Sequence, residues 1–210
     1  MKMNAELRIK NSEFGFTLIE ALVTISIIGV VGFILGDLLL RTFQGNNKTQ
    51  LISLIKQNGQ SALNIIDQTL RFASPIMCTT YDTDSRSIVV VQTQTNQFVR
   101  FSFIPPTAST NGYIQEDYPS QFEFEGDASA LCKPDVIPFT NALIITNRDP
   151  VTGISIVNNA ETIKRTSSYG AKDIITIKFN VQPGVNIGQG FQNDIGEGEG
   201  VPFETSVVLR

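Results

Sequence analysis

Hydrophobic positions are distributed unevenly along this chain, and the longest run comes early. From Phe16 to Leu40 it reads FTLIEALVTISIIGVVGFILGDLLL, 25 residues with charge only at Glu20 and Asp37. As a helix this run would be about 37 Å long, more than the ~30 Å hydrocarbon core of a bilayer. A soluble helix of that length would ordinarily show a polar face. The pattern therefore predicts a transmembrane or assembly helix over 16–40. After Asn46 and Asn47 the pattern becomes amphipathic, with Leu51, Ile55, Ala62, Ile66 and Leu70 near a 3.6-residue period, supported by Leu54, Leu63 and Ile65. This predicts a stalk helix with one buried face over 41–74, ending near Ala73-Ser74-Pro75, where proline disfavours helix for the residue before it. Gly45 and Gly59 are points at which it can kink. A nearly continuous helix from Phe16 to Ala73 would be about 87 Å long.

Beyond Pro75 the pattern changes to strands: 87–93, 98–104, 122–125, 142–147, 153–157, 173–181 and 203–209. Ile175, Ile177, Phe179 and Val181 alternate with Thr176, Lys178 and Asn180, while Phe203, Thr205, Val207 and Leu209 alternate with Glu204, Ser206 and Val208. The link Arg148-Asp149-Pro150-Val151-Thr152 reads as a hairpin loop. The expected fold is α+β, a long N-terminal helix packed on the face of an antiparallel β-sheet head over 75–210.

Composition narrows the chemistry. The net charge is −4, and Glu116, Asp117, Glu123, Glu125 and Asp127 form a stretch with no Lys or Arg within it, so nucleic acid is not an expected partner. A small basic group at Lys164, Arg165, Lys172 and Lys178 is read as a solvated face. The chain has no His and no Trp, which removes the commonest general base and transition-metal ligand. With no clustered catalytic residues and no cofactor fingerprint, neither an enzyme nor a bound cofactor is expected. Cys78 and Cys132 are 54 positions apart, forming neither a C-x-x-C redox pair nor a zinc cluster.

A basic leader before an apolar run also suits a cleavable secretory signal, but no A-x-A-like site follows, and the chain continues through Gly36, Asp37, Leu38, Leu39, Leu40 and Arg41. The segment is expected to be retained. The junction Gly15-Phe16-Thr17-Leu18-Ile19-Glu20, followed by Ala21-Leu22-Val23, resembles the type IV prepilin signature. The resemblance is strong over about 25 residues and looser in architecture beyond them. It implies a leader at 1–15, cleavage between Gly15 and Phe16 by a prepilin peptidase, and N-methylation of Phe16. It also implies a role in subunit assembly for Glu20 and the Phe16 amine, which would pair between neighbours. Glycine at 15 leaves the backbone open to a protease. An acidic group in a membrane segment costs a few kcal/mol and is a functional candidate by default. A snorkelling Glu20 in the first helical turn is the plainer alternative.

Many major pilins carry a proline in the apolar run. This chain has none there, and Gly29, Gly32 and Gly36 are the candidate weak points or close-packing positions. Flanking positive charge does not set orientation, so the topology of cytoplasmic leader and extracytoplasmic head comes from the resemblance. That placement, with an even cysteine count, makes Cys78 and Cys132 a disulfide candidate. Calcium-holding loops of some pseudopilins resemble two oxygen-rich stretches, 81–85 and 193–199. Neither matches a defined ligand spacing, so no metal is assigned. The implied function is a structural subunit, a minor pilin or pseudopilin, of a type IV pilus or type II secretion-like filament. Its partners would be the prepilin peptidase, other pilin subunits, an inner-membrane assembly platform and membrane lipid. The alternative is a membrane-anchored surface-binding protein that does not polymerise.

Overall fold

The computed structural model describes residues 17–82, 84–120, 127–150, 152–167, 172–185 and 200–209. Among these residues one long helix, α1 (Leu18–Arg71), precedes nine strands: β1 (Ala73–Tyr81), β2 (Ser87–Thr93), β3 (Phe98–Ile104), β4 (Tyr113–Asp117), β5 (Leu143–Ile144), β6 (Ile154–Val157), β7 (Ile163–Thr166), β8 (Ile174–Pro183) and β9 (Val201–Val208). A short 3₁₀ helix, Ala128–Cys132, lies between β4 and β5. The chain divides into a unit ending at Asn47 and a second from Lys48 onward. All the strands belong to the second, and the class is α+β.

Within the second unit α1 buries the predicted face. Ile55, Ala62, Ile66 and Leu70 are fully buried, with Leu51, Leu54, Leu63 and Ile65 packed at the margin. The fully buried isoleucine and leucine side chains contribute roughly 1.5–3 kcal/mol each when removed from water. They meet Val89, Val91, Phe101 and Phe103 from one sheet and Ile175, Ile177, Phe179 and Val181 from another. Gly59, marked in the sequence as a kink point, lies within helix. A Cβ there would come within 2.4 Å of the Phe203 ring, so the missing side chain is space that the ring fills. Phe203 in turn stacks on Phe179, 5.7 Å between centroids.

The strands form two sheets rather than the single sheet expected. The first is an antiparallel meander in the order β1-β2-β3-β4-β5. Its inner face joins the helix core. Its outer face carries Ile88, Val90 and Phe98, which pack with Leu131, Cys132 and Ile137 in a second cluster. Burial on both faces explains the unbroken apolar run over 88–91 in β2, whereas β3 turns Arg100 and Ser102 to its buried outer face. In the second sheet β9 pairs along one side of β8, while β6 and β7 share the other. Ile175, Ile177, Phe179 and Val181 point to the core, as their alternation predicts.

The two sheets meet at Gly112. Its N–H donates to Ser155 Oγ at 3.0 Å and its carbonyl accepts from Ile156 N–H at 2.8 Å. A Cβ there would lie 2.0 Å from the Ile156 carbonyl oxygen, so only glycine fits. The 148–152 link is a correction to the hairpin reading, because β5 belongs to the first sheet and β6 to the second. Asn111 fixes that crossing: its Nδ2 donates to the Asp149 carbonyl at 2.7 Å and its Oδ1 accepts from Val185 N–H at 2.7 Å.

The helix stops at Arg71, earlier than expected, and Pro75 falls inside β1. Register shifts there leave Pro75 outside the ladder. The strand expected over 142–147 shortens to Leu143–Ile144, and β1, β4 and β7 were not foreseen. The strand expected over 122–125 lies outside the described residues.

Candidate assembly segment

The first described residue, Thr17, caps α1. Its carbonyl accepts from the N–H groups of Glu20 and Ala21 at 3.1 Å, and its hydroxyl oxygen lies 3.4 Å from Glu20 N–H. Thr17-x-x-Glu20 has the spacing of a capping box, a signal present in the sequence but unused in reading it. The cap satisfies the Glu20 amide and places Glu20 in the first turn, where the helix dipole favours an anion. Among the described residues, the Glu20 carboxylate makes neither a hydrogen bond nor an ion pair.

The rest of the segment neutralises its own polar groups. Thr24 donates its hydroxyl to the Glu20 carbonyl at 2.7 Å, Ser26 to Leu22 at 2.8 Å and Thr42 to Leu38 at 2.8 Å. Each bond reaches the carbonyl four residues back, so the hydroxyl needs no partner outside the helix. Asp37, the other acid in the run, accepts from Arg41 Nε at 2.9 Å one turn later. The large apolar side chains lie open, from Val31 at 48% exposed to Leu18 at 81%. The helix is long and apolar enough to cross a membrane, with a mean hydropathy of 2.5 over its best 18-residue window. A Cβ at Gly29, Gly32 or Gly36 would meet nothing within 4 Å. Among the described residues nothing demands glycine at those positions.

Gly15 and Phe16, assigned to cleavage and methylation, lie outside the described residues, as does the oxygen-rich stretch 193–199. In the stretch 81–85, where Thr83 is likewise outside, Asp82 and Asp84 already share a cation: Arg86 reaches Asp82 at 2.5 Å and Asp84 at 2.7 Å. Among the described residues no group of three His, Cys, Asp or Glu side chains is arranged to hold a metal. Cys78 and Cys132 are joined as a disulfide with their Cα atoms 6.1 Å apart.

The acidic stretch is not left without partners, as its sequence suggested. Asp117 is fully buried against Arg100, 17 residues earlier. Glu116 accepts from the Tyr118 hydroxyl at 2.9 Å, and burial together with that carboxylate pushes the Tyr118 hydroxyl above its ordinary value. Asp127 caps the 3₁₀ helix, and the Ser129 N–H and hydroxyl hold its carboxyl below the usual range. Glu123 and Glu125 lie outside the described residues. Of the basic group, Arg165 is paired with Asp173, and Lys164 and Lys178 sit at exposed positions of the second sheet.

Residues 10–36 match the family model described as the prokaryotic N-terminal methylation motif. Neither the curated proteins nor the solved structures contain a match to the chain.

Proposed function

We propose that this chain, which carries the type IV pilin-like prepilin signal, is a structural subunit, a minor pilin or pseudopilin, of a membrane-assembled filament. The motif supports a type IV pilin-like or pseudopilin precursor, and a family of this kind supplies subunits rather than catalysts. In this reading residues 1–15 are a cytoplasmic leader removed after Gly15 by a prepilin peptidase. Residues 16–40 span the inner membrane and later enter the filament, 41–74 form the stalk, and 75–210 form an extracytoplasmic head. The partners are the peptidase, other pilin subunits, the assembly platform and membrane lipid.

The observation that carries the reading is the contrast between two acids in one apolar run. Asp37 is neutralised by its own Arg41, whereas Glu20, among the described residues, has no partner. A carboxylate kept in an apolar setting requires a cation. Cleavage before Phe16 would create one, the new α-amine, on every neighbouring subunit. The charge pair would then set register between staggered helices as well as lower the desolvation cost.

Two measurements test this. Intact mass in a peptidase-positive host is expected to show a chain beginning at Phe16, and a retained leader would reject the assignment. Glu20→Ala is expected to enter membranes at least as well as the native chain, since it removes a charge from the span. Its recovery in sheared filaments is expected to fall by about tenfold or more, because the incoming amine loses its partner. Equal recovery would reject the pairing. Normal processing with no filament association of either form would favour a membrane-anchored binding protein that does not polymerise.

A further inference from the structure

Arg100 sits in the middle of β3, fully buried, on the strand face that turns away from the helix core. Every N–H of its guanidinium is used. Nε donates to Asp117 Oδ1 at 2.9 Å, and Nη2 donates to Asp117 Oδ2 at 2.6 Å and to the Pro138 carbonyl at 3.0 Å. Nη1 donates to the carbonyls of Leu131 at 3.1 Å and Ile137 at 2.8 Å. These five bonds exhaust the donors that an arginine has. The Phe139 ring lies under the guanidinium, 4.6 Å from its carbon to the ring centroid.

Two of the five bonds fix the charge to a neighbouring strand, and three hold the backbone of one covering segment. That segment, 127–139, lies over the outer face of the first sheet and keeps Ile88, Val90 and Phe98 dry. The disulfide from Cys78 in β1 attaches the same segment at a single point, Cys132. Arg100 attaches it beside that point, at Leu131, and again at Ile137 and Pro138. Asp117 is as buried as Arg100, so the pair persists only while the carbonyls complete the guanidinium's bonding.

We infer that Arg100 is a second latch on this segment, independent of the disulfide. It holds residues 127–139 against the sheet whether or not Cys78 and Cys132 are joined. The exposed side chains that the segment carries, Lys133, Asp135 and Val136, are then presented in one arrangement before and after the bond forms. This inference concerns the head alone and does not rest on the filament reading.

The test is hydrogen exchange on the full chain in detergent micelles, comparing amides of 131–139 with those of β8, which belongs to the other sheet. In Cys78→Ser/Cys132→Ser, the protection of 131–139 relative to β8 is expected to stay within about tenfold of the native ratio. Adding Arg100→Lys keeps a charge for Asp117 but removes the planar fork that reaches the carbonyls. That change is expected to lower the ratio by about a hundredfold further while β8 stays protected. Free exchange of 131–139 in the cysteine-free chain that retains Arg100 would overturn the inference. So would loss of protection throughout that chain, or an unchanged ratio on adding Arg100→Lys. If Arg100→Lys unfolds the whole chain, Arg100→Gln is measured with the disulfide intact. Selective loss over 131–139 then supports the latch, and uniform loss rejects it.

Discussion

Asp67 shows what one ionisable residue does where the helix meets the second sheet. It accepts from Arg71 one turn on, at 2.6 Å, and from the Thr205 hydroxyl of β9 at 3.0 Å. The Arg71 bond, aided by Thr205, holds the Asp67 carboxyl below its ordinary value despite partial burial. A carboxyl whose folded value is depressed stabilises the fold above its unfolded value, about 3.9, and loses that contribution as pH falls through the folded value. Asp67→Asn is therefore expected to cost up to about 1 kcal/mol near neutrality, since the pair is substantially solvated. Urea denaturation at stepped pH checks this. The gap between native and variant should close below about pH 4, and a gap independent of pH would mean the carboxylate charge is not what matters.

At the scale of elements, the decisive contacts are those for which two pieces of backbone must come close. Alanine at Gly59 would press on the Phe203 ring, which has some room to tilt, and alanine also gains about 1 kcal/mol of helix propensity. A net loss of about 1 kcal/mol is expected, from an overpacking cost of roughly 1–3. Alanine at Gly112 would press on a carbonyl of β6 held in the sheet junction, and a loss of about 3 kcal/mol or more is expected. Thermal melts followed by far-UV circular dichroism should rank them in that order, with a shift of about 2–4 °C per kcal/mol. The same local geometry shows what the sequence made legible. β2 and β3 appear at the bounds expected from the sequence, and β8 and β9 follow their alternation, because burial writes itself into neighbouring letters. β4 was missed because Gln115, Glu116 and Asp117 look like solvent-facing loop. Asp117 is buried only because Arg100, distant in sequence, is brought beside it. β1 was hidden by Pro75, which the strand accommodates with shifts in register. The N-terminal segment was readable for the opposite reason: the methylation motif and the apolar run are each a continuous stretch of chain, legible without any folding to bring distant residues together.

For the whole molecule, the joined cysteine pair agrees with the extracytoplasmic head proposed above, because disulfides persist in oxidising compartments. The bond closes a loop of 54 residues, which in the chain-entropy model stabilises the head by roughly 4 kcal/mol. Natively exported protein, denatured without reductant, is expected to take up no thiol label at Cys78 or Cys132. Labelling at both would place the head in a reducing compartment or leave the bond unformed. If the head is exported as proposed, the two sheets also differ in what they require of a chain that emerges in sequence order. The first is a meander in which every strand pairs with the one just made, so it is complete before any of the second has emerged. The second waits for β9, and with it Phe203, the ring that covers Gly59 of a helix lying more than a hundred residues earlier in the chain. Until then the apolar stripe of Ile55, Ala62 and Ile66 lacks the cover of the second sheet, so on the proposed route a stall at this stage would leave the head most exposed to aggregation and to proteases.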